Sequence, residues 1–208
     1  MKPYFLNISE KYKAFTWTPP RTGSTHFTDI LNKLGFQSAY FEDTKLIKIQ
    51  KRVRHNHSCI FFENHFDYKF ITSMRNPYSM MISQVGGSTM EFGEKTINQI
   101  RIRIENMMQQ PLEPDFCCQC FHIREPDYAV RLENLYEDWI KIPFVAEHEL
   151  NLSGELEKLT QRKLNHGVNT DEKDYWKKYY DQSLADLVYY NHPESFDLFG
   201  YDRDSWKS

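Results

Sequence analysis

The strongest constraint on the fold is an abrupt change of hydrophobic period near the start of the chain. Ala14–Thr18 (AFTWT) is a short apolar and aromatic run that reads as a strand, ended by Pro19 and Pro20, which cannot extend a strand ladder. From Thr25 onward the period is helical. Phe27, Ile30, Leu31 and Leu34 fall at i, i+3, i+4 and i+7, and Gly35 follows as a C-terminal cap. Strand, tight loop and helix therefore succeed one another within the first 35 residues.

The alternation recurs. A second strand is expected around Ile49–His57 and a third at Tyr68–Met74 (YKFITSM), which runs into Arg75-Asn76-Pro77. Asn76 suits a helix N-cap and Pro77 the first helical position. Tyr78, Met81, Ile82 and Val85 then repeat the helical stripe until Gly86-Gly87 stops it. Ile97, Ile100, Ile104, Met107 and Met108 mark another helix, closed by Pro111. Tyr128–Leu132 reads as a strand and Asn134–Ile140 as a helix. Trp176, Tyr180, Leu184, Leu187 and Val188 read as one long helix. Strands alternating with helices predict an α/β fold with a central parallel sheet flanked by helices, because parallel neighbours need crossovers. Residues 1–208 are expected to form a single domain. In such sheets ligands lie beyond the carboxyl ends of the strands. Pro19–Thr25 and Met74–Pro77 both fall at that edge.

Charge narrows the function. The formal net charge is −3, so no global basic field points to a nucleic-acid duplex or an anionic membrane, and any anion must be held locally. The opening MKPYFLNISEKYKAF has no apolar h-region, and no apolar run has the length of a membrane span. A soluble, cytoplasmic chain is the expectation. The four cysteines, Cys59, Cys117, Cys118 and Cys120, make no spread disulfide framework and fit a reducing compartment. Cys117 and Cys120 with His122 offer half of a zinc pattern but no second half, so buried thiols and no metal are expected.

Two segments carry anion chemistry. In Thr18-Pro-Pro-Arg-Thr-Gly-Ser-Thr25, Gly23 permits a tight turn, and Ser24 and Thr25 put hydroxyls where a helix begins. The first-turn N–H groups and the helix dipole favour an anion there, and Arg21 adds a forked cation suited to phosphate or sulfate oxygens. The second segment, SMRNPYSMMIS, sets Arg75 at a strand end before a helix, with Ser83 at i+8 and off the buried stripe.

Together these segments resemble the nucleotide motifs of sulfotransferases. PPRTGST is similar to the 5′-phosphosulfate loop, P-[KR]-[ST]-G-[ST]-[ST], and RNPYSMMIS to the 3′-phosphate motif, R-[ND]-P-x-x-x-x-x-S. More weakly, Tyr128–Asp138 (YAVRLENLYED) resembles the family's R-Y-E-D-L strand-to-helix step. FDLFGY at residues 196–201 resembles the ending of carbohydrate-type members. The resemblance implies a P-loop nucleotide-kinase-like sulfotransferase fold and transfer of a sulfuryl group from 3′-phosphoadenosine-5′-phosphosulfate (PAPS). Arg21, Thr22, Gly23, Ser24 and Thr25 would hold the 5′-phosphosulfate, and Arg75 and Ser83 the 3′-phosphate. Many members have Lys at the Arg21 position as a proton donor. Arg stays protonated, so Arg21 would stabilise developing charge instead.

The acceptor hydroxyl (or amine) needs a base, and the family often places it near the end of the strand preceding the 3′-phosphate strand. Here that region reads RVRHNH, with His55 and His57 two apart and so on one face of a strand. Imidazole suits base work near neutral pH. His57 is preferred, His55 is the alternate, and Glu63 and His65 stand behind them. The FGY ending leans towards a carbohydrate acceptor and leaves a lipid, a small alcohol or a peptide tyrosine open. NHGVN at residues 165–169 reads as a surface loop, with a late loop over the nucleotide as the other reading. A non-catalytic nucleotide- or sulfate-binding module would keep both segments without the base. A P-loop kinase would need G-x-x-x-x-G-K-[ST] and an acidic strand end, both missing here.

Overall fold

The computed structural model describes residues 4–19, 21–42, 46–50, 67–86, 97–109, 124–161 and 174–207. The strands are β1 (Tyr4–Ser9), β2 (Ala14–Trp17), β3 (Gln37–Glu42), β4 (Leu46–Gln50), β5 (Lys69–Met74) and β6 (Tyr128–Arg131). The α-helices are α1 (Ser24–Lys33), α2 (Pro77–Gly86), α3 (Ile97–Gln109), α4 (Leu135–Trp139), α5 (Pro143–Ala146), α6 (Glu149–Leu152), α7 (Glu155–Gln161), α8 (Gln182–Asn191) and α9 (Pro193–Phe199). The chain divides into two compact units, Met1–Met74 with Cys118–Arg162, and Arg75–Cys117 with Lys163–Ser208. Among the described residues, no helix is long and apolar enough to cross a membrane.

The first unit carries a 6-stranded sheet in the order β4-β3-β1-β2-β5-β6. The expectation of a parallel sheet is corrected: only β2, β5 and β6 run parallel, while β1 pairs antiparallel with both β2 and β3, and β3 with β4. Connection length explains the difference. Residues 10–13 and 43–45 are too short for a crossover, so each joins antiparallel neighbours. The expected strand at Ile49–His57 is β4 in part, beginning earlier at Leu46, and residues 51–66 lie outside the described ones. β1 and β3 escape a pattern reading because a polar rung interrupts them. Asn7 faces Ser38 in register, and the buried Ser38 hydroxyl donates to Asn7 Oδ1 at 3.0 Å.

Two layers of apolar side chains close this unit. Ala14, Ile71 and Val130 from the three parallel strands meet Phe27, Ile30, Leu31 and Leu34, and the set continues through Leu135, Trp139, Ile142 and Val145. Phe27 and Trp139 rings lie 4.9 Å apart. Phe15 and Phe70, adjacent on β2 and β5, stack at 5.0 Å. All of β2 is buried, and so is β5 beyond Lys69, as parallel strands at a sheet centre require. The expected α1 stripe and its cap are observed: Gly35 is left-handed at φ 79, and Phe36 N–H closes back on Leu31 O at 3.0 Å.

The second unit is helical. Tyr78, Met81 and Ile82 of α2 pack with Ile100, Ile104 and Met108 of α3 and with Leu184, Ala185 and Val188 of α8. Ile97, expected on the buried stripe of α3, is exposed instead. The long helix expected from Trp176 to Val188 is also corrected. A 3-10 turn over Lys177–Tyr179 is followed by extended Tyr180, and Asp181 caps a fresh helix by accepting from Leu184 N–H at 3.0 Å. Arg101 of α3 clamps the break, donating to Tyr179 O at 2.8 Å and pairing with Asp181 at 2.8 Å. The buried Tyr180 hydroxyl donates to Tyr78 O at 2.8 Å. The apolar spacing belongs to a 3-10 turn and a separate helix facing one core, not to one continuous helix.

His192 joins α8 to α9 and is buried, and this desolvation pushes its imidazole down to about 4. The unfolded chain takes up that proton near pH 6.5. The folded-state value is depressed, so stability is complete above pH 6.5 and is lost as pH falls from there towards 4. The loss is on the order of 2–3 kcal/mol. We expect the urea midpoint of the protein to fall across this window and His192→Gln to flatten that slope. An equal slope in both proteins would show that His192 does not control it.

Candidate anion-binding site

The loop between β2 and α1 is built around two left-handed residues. Arg21 lies at φ 66 and Gly23 at φ 84. For an L-residue such as Arg21 this conformation costs about 1 kcal/mol or more, so its surroundings must hold it there. Thr22, between them, is the anchor. Its hydroxyl donates to Pro19 O at 2.7 Å and lies 2.6 Å from the Ser73 hydroxyl near the end of β5. Thr22 has a single hydroxyl hydrogen, already given to Pro19, so Ser73 is the donor between them. One residue earlier on β5, Thr72 donates to Trp17 O at 2.9 Å. The Thr22 hydroxyl is thus committed inward, and what this residue can offer a ligand is its backbone N–H.

The helix that follows has no side-chain cap, because Gly23 stands at the N-cap position. The first intrahelical bond runs from Phe27 N–H to Gly23 O at 3.1 Å, so the earlier N–H groups have no partner in the helix. Its first turn holds no acid. Half-buried Ser24 and Thr25 bring their hydroxyls to this positive end.

A pair of residues that pattern reading left without a role supports the loop from the neighbouring strand end. Asp138 of α4 is buried and grips Arg131 at the end of β6, accepting from its Nε at 2.8 Å, its terminal nitrogen at 2.9 Å and its backbone N–H at 3.0 Å. Lys141 adds a contact at 2.7 Å. Burial opposes ionisation of Asp138, but Arg131, Lys141 and the backbone N–H outweigh it and hold its carboxyl below the usual range. The clamp fixes the strand-to-helix step, and Leu132, next after Arg131, packs over Gly23. A Cβ on Gly23 would lie 2.6 Å from Leu132 Cδ1. The only sequence signal for this pair is the R…ED spacing in YAVRLENLYED.

In the second unit, the Asn76 side chain caps α2, accepting from Tyr78 N–H at 3.0 Å and donating to Ser205 at 2.9 Å. This matches the N-cap expected from the sequence. Arg75, just before it, is half-buried and donates through Nε to Ser79 Oγ at 2.8 Å. Ser83 is half-buried on α2, whose first turn also lacks acids.

The arginines divide by partner. Arg101 pairs with Asp181, Arg124 with Asp127, Arg131 with Asp138 and Arg203 with Asp186. Arg103, exposed, donates to Val85 O. Among the described residues, Arg21 and Arg75 have no carboxylate within ion-pair distance, and these are the arginines of the two anion segments. His55, His57, Glu63, His65, the four cysteines, His122 and residues 165–169 lie outside the described residues. Among the described residues, no group of His, Cys, Asp and Glu is arranged to hold a metal ion.

Gly23→Ala tests the loop. It forces a Cβ into a left-handed position and pushes the tip of the Leu132 side chain aside, and should destabilise the protein by about 1–2 kcal/mol in urea unfolding. Wild-type stability in Gly23→Ala would mean that the loop relaxes freely and that Leu132 does not constrain it.

Comparison with known proteins finds no matching family model, no matching curated protein and no matching solved structure.

Proposed function

We propose that the chain is a PAPS-dependent sulfotransferase, moving a sulfuryl group to a hydroxyl or amine acceptor, a carbohydrate being favoured. The observation that carries this reading is the pair of arginines that lack a carboxylate partner among the described residues, each beside a helix start free of acids. An arginine left half-buried without an acidic partner favours a site that takes a phosphate or sulfate oxygen. The resemblance of the two segments to sulfotransferase motifs would assign them to the two ends of one nucleotide. Arg21, the N–H groups of Thr22 and Gly23, and Ser24 and Thr25 would hold the 5′-phosphosulfate. Arg75 and Ser83 would hold the 3′-phosphate.

In the reaction the acceptor oxygen attacks sulfur, and the bond from sulfur to the bridging oxygen breaks. The electron pair goes to the leaving 5′-phosphate. Arg21 and the first-turn N–H groups of α1 meet the charge that develops there. The acceptor proton passes to a base, for which His57 is the choice and His55 the alternate. Sulfuryl transfer leaves less negative charge on the moving group than phosphoryl transfer, so fixed cations suffice.

Calorimetry with PAPS, 3′-phosphoadenosine-5′-phosphate and ATP tests the nucleotide assignment. The first two should bind with similar affinity and ATP much more weakly, and Arg75→Ala should cost the first two roughly 2–4 kcal/mol. Equal binding of ATP would sink the assignment. Binding without turnover on any acceptor would leave a nucleotide-binding module.

His57→Ala should lower turnover about a hundredfold while nucleotide affinity stays constant, with a smaller effect for His55→Ala. Full turnover in His57→Ala removes it as the base.

A further inference from the structure

We infer that Ser79 is a positioning residue for a 3′-phosphate, acting through Arg75. The inference rests on the proposed reading of Arg75 as the ligand of that phosphate. Nothing in the sequence pattern singled Ser79 out, since it stands inside the variable stretch between Arg75 and Ser83.

Three observations lead to it. Ser79 lies four residues beyond Arg75 in the first turn of α2, is only 4% exposed, and accepts from Arg75 Nε at 2.8 Å. The start of α2 is itself fixed, by the Asn76 side-chain cap and by the Met80 N–H bond to Asn76 O at 2.8 Å, so the accepting hydroxyl sits on a rigid platform. A guanidinium is planar, so holding Nε orients its plane and leaves both terminal nitrogens to face a ligand side by side. The partner, moreover, is neutral. Arg131 is held by the buried Asp138 and Arg101 by Asp181, and each loses its net charge to that carboxylate. Ser79 orients Arg75 without cancelling its charge. A structural arginine has no need of that arrangement, whereas an anion-binding one gains both orientation and an undiminished field.

The consequence is selective. Loss of the Ser79 hydroxyl frees the Arg75 side chain, and only a ligand that uses Arg75 should register it. Wild type and Ser79→Ala are titrated calorimetrically with 3′-phosphoadenosine-5′-phosphate and with adenosine 5′-phosphate, which lacks the 3′ group. In Ser79→Ala we expect about tenfold weaker binding of the first and unchanged binding of the second. Adding Ser79→Ala to Arg75→Ala should cause no further loss, and Ser79→Thr, which restores a hydroxyl, should recover most of the affinity. Equal weakening for both nucleotides would make Ser79 a general packing residue and overturn the inference, as would an unchanged 3′-phosphate preference. If wild type itself shows no preference for the 3′-phosphorylated nucleotide, the reading of Arg75 fails, and the role of Ser79 fails with it.

Discussion

The parallel pairing of β2 with β5 is the constraint on which the first unit depends. Both strands are buried on both faces, so their ends are fixed by the ladder and by side chains from the unit's interior. Trp17 faces Thr72 in register. The Thr72 hydroxyl bonds Trp17 O, and Ser73 bonds Thr22, so the last residues of β5 hold the loop that leaves β2. Those two hydroxyls offset the cost of a left-handed Arg21. Without them the loop would relax and the start of α1 would lose its definition.

Two ways of holding a guanidinium appear in the same chain, and their energetics differ. Asp138 is buried, and its desolvation is offset by hydrogen bonds from Arg131 and Lys141. Removing Asp138 would take from Arg131 its bidentate carboxylate partner and would loosen Leu132 over Gly23. That interaction stabilises the fold and leaves little charge for a ligand. Arg75, held by a hydroxyl, contributes less to stability and keeps its field. Partner chemistry, more than the presence of arginine, separates a guanidinium neutralised by a carboxylate from one that keeps its charge here.

In the second unit the same economy of polar groups operates around α2. Tyr78 and Tyr180 are buried aromatics whose hydroxyls donate to Arg203 O and Tyr78 O, so two large rings enter the core without leaving polar atoms stranded. Burial raises the phenol of each well above its ordinary value, which keeps both protonated as donors. The rings of Tyr78 and Phe196 meet at 5.1 Å, edge to face. With Asn76 bound to Ser205, these contacts seat the N-terminus of α2 and therefore the residue just before it.

Local chemistry made much of this legible in advance. The period change at Thr25, the Gly35 cap, the Asn76-Pro77 helix start and the strands at Ala14 and Tyr68 depend on neighbours within a few residues, and each is observed. The gathering of glycine, arginine and hydroxyl residues beside the start of α1, and of Arg75 beside the start of α2, was also visible, because it depends on near neighbours in the chain. What the chain pattern did not contain depends on partners distant in sequence. β1 and β3 are polar in the middle, and Asn7 and Ser38 become reasonable core residues only once paired. The mixed sheet follows from loop lengths between strands that were not both recognised. The break at Tyr180 is imposed by Arg101, roughly eighty residues earlier, which no periodicity can show. Likewise the bond of Thr22 to Ser73 and the seating of Leu132 on Gly23 are contacts of the folded chain. Sequence alone determined which residues could attract an anion. Tertiary structure decided which of their polar groups remain free to do so, because a hydroxyl or carboxylate buried against a neighbour must satisfy that neighbour first.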